Sequence, residues 1–235
     1  MEQKEQTMEL SNYVSKLLRD NFGKGPEAVY VSMGYTFITL YIRNFITPTE
    51  RVLMQQNNEE FLQEMRGAVI STLIPEIKAY IRLITGMDLQ EFYYDWNLHN
   101  KSGMLVGISN DQTRCSFPLT EDYKGKNELH QELTQITADV QKAPEELFSY
   151  QLNPRTILAI RNGIFVRIEK ELIRQGMQES LRIAKRKLEK RVLHNNIYFQ
   201  RILQTKVMDI FVDWDFDLDK GVILFILSEN IKSIR

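Results

Sequence analysis

The 235 residues, 43% hydrophobic, suffice for one large or two small packed domains and exclude a disordered chain. Thirty basic residues against thirty-one acidic give a formal charge of -1, so no global field steers the protein to nucleic acid or an anionic membrane. The lone cysteine, Cys115, excludes an internal disulfide and fits a reducing compartment. No stretch approaches the roughly eighteen consecutive apolar residues of a membrane span. Met1 to Leu10 is acidic and polar, unlike a secretory signal. The expectation is a cytoplasmic protein, either free or peripheral to the inner face of the membrane.

In chain order, Leu10 to Phe22 has helical spacing through Leu10, Val14, Leu17 and Leu18, with Gly23 placed as a C-cap. Pro26 favours extended chain. Ala28 to Met33 and Tyr35 to Arg43 are rich in β-branched and aromatic residues and predict a hairpin turning at Met33-Gly34. Thr47-Pro48-Thr49-Glu50 reads as a helix start, with a threonine N-cap, proline at the first position and an acid in the first turn. That helix is expected to pause at Asn57-Asn58 and restart at Glu59. Its stripe then runs through Leu62, Met65, Val69, Leu73, Ile77, Tyr80 and Ile84 to Gly86, with a bend at Pro75. Leu89 to Trp96 and Met104 to Ser109 predict a second hairpin.

Sliding the chain by 118 positions aligns it on itself without a gap. Lys24, Pro26 and Glu27 meet Lys142, Pro144 and Glu145; Leu40, Ile42, Arg43, Asn44 and Ile46 meet Leu158, Ile160, Arg161, Asn162 and Ile164. Tyr80 and Ile84 meet Tyr198 and Ile202, and Asp95-Trp96 and Gly103 meet Asp213-Trp214 and Gly221. The fold class is therefore α+β: two tandem α-β-β-α-β-β units, each laying a long amphipathic helix on a four-stranded antiparallel sheet. Residues 1–118 form the first repeat, 119–127 a linker, and 128–235 a second, diverged repeat. Val222 to Leu227 is apolar without alternation, as in a strand covered on both faces.

The order Gly23-Lys24-Gly25-Pro26-Glu27, hairpin, Thr47-Pro48-Thr49-Glu50-Arg51, Arg66, then Ile84-Thr85-Gly86 before a strand ending at Asp95 resembles the MpsC-like family. That family is named for an accessory component of a bacterial sodium-translocating, membrane-potential-generating system, and its neighbours are linked to inorganic carbon uptake. The resemblance spans roughly residues 8 to 109. The second repeat departs from it: Gln141, Lys142 and Ala143 replace the glycine loop, and Phe165 to Glu169 replace the helix start. What the resemblance implies is a protein partner, such as a membrane transport complex, and no reaction.

Several residues have chemistry to offer. Gly23, Lys24, Gly25 and Pro26, with Arg43 and Asp95, read as an anion or ligand loop, or more plainly as a helix C-cap leading into a strand. Arg43 and Asp95, matched by Arg161 and Asp213, also read as a salt bridge repeated in each copy. Arg182, Lys185, Arg186, Lys187, Lys190 and Arg191 form a basic helical cluster, with Leu181, Ala184, Leu188 and Val192 to bury. It is a candidate partner surface for an acidic protein, a membrane or RNA, though no aromatic residues interleave it for base stacking. Asp213, Asp215, Asp217 and Asp219 alternate like an EF-hand start, but Leu224 stands where the closing glutamate belongs. His99, His130 and His194 have no ligand spacing. No catalytic set, metal site or cofactor motif emerges. The expected function is a non-enzymatic accessory or adaptor protein of a membrane ion- or bicarbonate-transport system. The alternatives are an anion or small-molecule sensor and, third, an RNA-binding module. A pseudo-dimer within one chain and a homodimer both fit a duplicated unit.

Overall fold

The computed structural model describes residues 3–110 and 122–229, and Cys115 lies outside them. The chain divides into two compact units, Met1–Pro118 and Leu119–Arg235. The first runs α1 (Gln3–Phe22), β1 (Ala28–Gly34), β2 (Phe37–Arg43), α2 (Pro48–Gln55), α3 (Glu59–Thr85), β3 (Leu89–Asn97) and β4 (Ser102–Ser109). The second runs α4 (Lys126–Val140), β5 (Glu146–Asn153), β6 (Thr156–Asn162), α5 (Arg167–Arg174), α6 (Gln178–His194), α7 (Tyr198–Leu203), β7 (Val207–Asp215) and β8 (Lys220–Leu227). Each unit is thus α+β, with its own antiparallel sheet, ordered β1-β2-β4-β3 and β5-β6-β8-β7. Of the segment expected to be a linker, Lys126 and Asn127 already belong to α4, and Tyr123 is bonded to Ser149 of β5.

In the first unit α1 lays Leu10, Val14, Leu17 and Leu18 against a core shared with α3 and the sheet residues Val29, Met33, Ile38, Leu40, Ile42 and Leu105. The buried line of α3 is Leu62, Arg66, Ile70, Leu73, Ile77 and Ile81. Leu62, Leu73 and Ile77 fall on the expected stripe, whereas Met65, Val69, Tyr80 and Ile84 flank it and are half-buried. Hydropathy alone misplaced the centre of the stripe because a buried arginine occupies it. The helix breaks after Gln55 and restarts at Glu59, and then continues through Pro75 to an αL Gly86. The first hairpin turns at Tyr35-Thr36 and not at Met33-Gly34: Gly34 pairs with Phe37, and Tyr35 takes the positive φ of 53°.

The inner strands β4 and β8 are buried along their lengths, all of Ser102–Ser109 and all of β8 after Lys220. Trp96 pairs across the ladder with Gly103, and Trp214 with Gly221. Both indoles are buried and lie over the glycine opposite, so the retained Trp and Gly are two halves of one packing contact.

The repeats do not keep a single offset. The strands bearing these pairs are 118 positions apart, but Leu129, Leu133, Ile136 and Thr137 of α4 lie 119 from Leu10, Val14, Leu17 and Leu18, which occupy the same buried positions of α1. Strand β6 is displaced likewise, because Ile42 and Arg161 both pair with the glycine of the inner strand. The register shift between Gln151 and Asn153 inserts the residue that displaces β6, and the break between α6 and α7 removes it again; α4 is displaced separately, since Ala28 and Glu146, at the same ladder position, are 118 apart. Arg43 and Arg161, aligned by sequence, are therefore not equivalent in space.

A Cβ on Gly103 would overlap the Trp96 ring. Gly103→Ala is expected to destabilise the protein by about 1–3 kcal/mol, the usual cost of overpacking, measured by urea denaturation.

Candidate functional site

The first unit carries a cation at the junction of its two middle helices. Thr47 and Glu50 form a capping box at the start of α2: the Glu50 amide donates to Thr47 Oγ1 at 3.2 Å, and the Thr47 amide to Glu50 Oε2 at 2.8 Å. The same carboxylate accepts two hydrogen bonds from Arg66 of α3, from Nε at 2.7 Å and Nη2 at 2.8 Å, and Nη2 also donates to the Phe45 carbonyl at 2.9 Å. The guanidinium lies 4.8 Å from the ring centroids of both Phe45 and Trp96. Arg66 is fully buried and Glu50 almost so. Burial pushes the Glu50 carboxyl up, but the hydrogen bonds and charge of Arg66, helped by Thr47, outweigh it and hold the group below the usual carboxylate range.

The second unit repeats the pair with other residues. Glu169 of α5 accepts from the Val166 amide at 2.8 Å and from Lys185 of α6 at 2.6 Å. Valine has no acceptor to offer in return, so only the acidic half of the capping box survives. Lys185 lies 4.9 Å from the Phe165 centroid and 5.2 Å from that of Trp214. At the displaced offset Glu169 answers Glu50 and Lys185 answers Arg66, a correspondence hidden from the gap-free alignment. Burial pulls the Lys185 amine down, with Glu169 opposing.

Among the described residues, a second buried cluster exists only in this unit. Arg161 of β6 donates to Glu189 of α6 at 2.8 and 3.0 Å and to Thr137 of α4 at 3.0 Å. Gln141 bridges the two acids' territory, donating to Glu189 at 3.0 Å and accepting from Lys185. The matching positions of the first unit are Leu18, Ile42 and Ile70, all fully buried.

The sequence-nominated loop residues do not converge. Gly23 caps α1 with a φ of 78°, Gly25 packs against Arg19, and Lys24 donates to the Ile46 carbonyl at 3.1 Å. Arg43 pairs with Glu27 on the surface and lies 5.4 Å from the Tyr30 centroid. Asp95 is fully buried and accepts from the Trp96 amide at 2.7 Å. The expected Arg–Asp bridge common to both copies is replaced by different pairs: Arg43–Glu27, Arg161–Glu189, and Asp213 with Arg182 and Arg186.

The basic cluster is likewise not one surface. Lys185 and Arg186 are buried, Arg182 is half-buried with its head on Asp213 and the Trp214 carbonyl, and Lys190 lies 6.0 Å from the Phe211 centroid. Lys187 and Arg191 are exposed, as are Ala184 and Leu188, which had been expected to face the core. The helix turns its cations inward because Glu169 and Asp213 await them there. The alternating aspartates build a turn: Asp215 accepts from the amides of Asp217 and Leu218, and Asp219 from those of Ile164 and Phe165. Among the described residues no group of His, Cys, Asp and Glu could hold a metal ion.

One polar chain had no sequence signal. Ser149 Oγ lies 2.6 Å from both the Tyr123 hydroxyl and His130 Nε2, joining residues far apart in the chain. Burial, then the charge of Lys126, pulls the His130 pKa down.

A family profile described as the Na+-translocating membrane potential-generating system (MpsC) matches residues 2–111 and again 124–229. The chain belongs to the MpsC family. No curated protein and no solved structure matches it. Both matched segments of this MpsC chain contain the acid–cation pair under the tryptophan, Glu50–Arg66 and Glu169–Lys185. Only the second contains the additional Arg161–Glu189 pair.

Removing one partner of that pair strands a buried charge. Arg161→Ile alone is expected to cost about 3–5 kcal/mol, whereas Arg161→Ile with Glu189→Ile, restoring the apolar residues of the first repeat, should be neutral or stabilising in chemical denaturation. The Glu50 pKa is lower folded than unfolded, so its contribution is complete above about pH 4.3, the unfolded value, and is lost as pH falls through the folded one. The melting temperature of Glu50→Gln should be lower than the parent's at neutral pH and converge on it in acid.

Proposed function

We propose that this MpsC protein is a non-enzymatic accessory or adaptor component of a membrane system that translocates sodium and generates a membrane potential, with inorganic carbon transport as the associated process. The observation that carries this reading is the family match across both repeats. Of the charged residues nominated from sequence, Arg161, Arg182, Lys185 and Arg186 are engaged in pairs within the second unit. Among the described residues, no helix is long and apolar enough to cross a membrane, so an association with the transport system would be made from the protein's surface onto a membrane partner. The basic helix offers only part of the surface proposed from its sequence, since Lys185 and Arg186 are turned inward. Lys187 and Arg191 are the members to test.

The expected result of an affinity pull-down from native membranes, read by mass spectrometry, is recovery of an ion- or bicarbonate-transport membrane complex. Lys187→Glu with Arg191→Glu should reduce that recovery, and Arg191→Glu alone should do so without lowering the melting temperature. A well-folded bait that recovers no transport component would overturn the proposal.

A further inference from the structure

The two repeats differ at one place where the first supplies its own filling. In the first unit Tyr13 of α1 stacks face to face on Tyr80 of α3, with ring centroids 3.5 Å apart and planes at 7°. Glu9 accepts from the Tyr80 hydroxyl at 3.0 Å, and Gln6 donates to the Ile84 carbonyl at 3.0 Å. These contacts close the seam between the helices. At the helical offset of the second unit, Glu128 answers Glu9, Glu132 answers Tyr13 and Gly125 answers Gln6, while Tyr198 and Ile202 answer Tyr80 and Ile84. The stacking ring and the amide arm are both gone.

What remains is a cleft of about 490 Å³ between α4 and α7, within the size range of small-molecule sites. The Tyr198 ring is 51% exposed and carries no stacked partner among the described residues. Lys124, Arg201 and Glu128 also line the cleft, and none of them forms an ion pair or side-chain hydrogen bond among the described residues. Glu132 is held aside by Asn196, which donates to it at 2.6 Å.

We propose that this cleft binds a small planar aromatic molecule bearing an anionic group, its ring stacked on Tyr198 where Tyr13 stacks in the first repeat, and its anion between Lys124 and Arg201. Glu128 is placed to accept from a hydroxyl or amine on the ring. In the first unit Tyr13 itself occupies the corresponding face of Tyr80. Aromatic stacking on an exposed tyrosine is tolerant of ring identity, so a nucleotide and a phenolic acid both satisfy the chemistry.

Isothermal titration of the full chain with AMP, 4-hydroxyphenylacetate, adenosine and inorganic phosphate tests it. Saturable binding of AMP or 4-hydroxyphenylacetate is expected, and which of them binds identifies the source of the ring. Tyr198→Ala and Arg201→Glu, both at exposed positions, should each weaken that binding at least tenfold. Glu132→Tyr should rebuild the stack of the first repeat, abolish binding and raise the melting temperature. Heat from phosphate equal to that from AMP, binding unchanged in Tyr198→Ala, or no binding of either aromatic anion at millimolar concentration would each overturn the proposal.

Discussion

A long helix that must pack on a sheet, and a short helix that must turn into it, meet in each unit at a buried carboxylate. Glu50 caps α2 through its own backbone and simultaneously receives both prongs of Arg66 from α3. One side chain thereby fixes the angle between two helices and neutralises a charge that α3 carries into the core. The guanidinium lies against Phe45 and Trp96, which also touch each other, and Trp96 in turn requires the glycine opposite it on β4. The cap, the cation, the indole and the glycine are therefore one dependent set. A planar, permanently charged group suits this position, because it satisfies a carboxylate bidentately and still rests against aromatic rings.

The second unit keeps the logic and changes the parts. Lysine replaces arginine, valine replaces the capping threonine, and the point charge of Lys185 reaches Glu169 while Gln141 takes another of its protons. A lone ammonium leaves more of the local field uncompensated than a bidentate fork, consistent with burial depressing its pKa. Around it, three apolar core positions of the first repeat have become Thr137, Arg161 and Glu189, which satisfy one another. Removing one member of such a network strands the buried partners it leaves.

The same divergence bears on function. In the first unit the helices are joined by Tyr13 on Tyr80; in the second that stack is absent, Glu132 is held by Asn196, and Tyr198 is exposed beside Lys124, Glu128 and Arg201. The basic segment of α6, conspicuous in the sequence, serves chiefly the scaffold, with Arg182 and Arg186 on Asp213 and Lys185 on Glu169.

The sequence by itself determined the duplication, the α+β class, the strand and helix order within each unit, the helix start at Thr47 and the pause before Glu59. All of these rest on local signals: periodicity, caps, turn residues and self-similarity are written within a few residues of where they act. The buried line of α3, the partners of Arg43 and Arg161, the inward face of the basic helix and the open seam beside Tyr198 were decided only by the tertiary structure. A charge reads as solvated until a counter-charge from another element is brought to it, and hydropathy assigns it to the surface by default. The displaced offset hid those partners further, because the extra residue at the end of β5 puts Arg161 at the ladder position of Ile42 and not at that of Arg43. Two identical letters 118 positions apart, Arg43 and Arg161, thus ended one on the surface with Glu27 and the other in the core with Glu189.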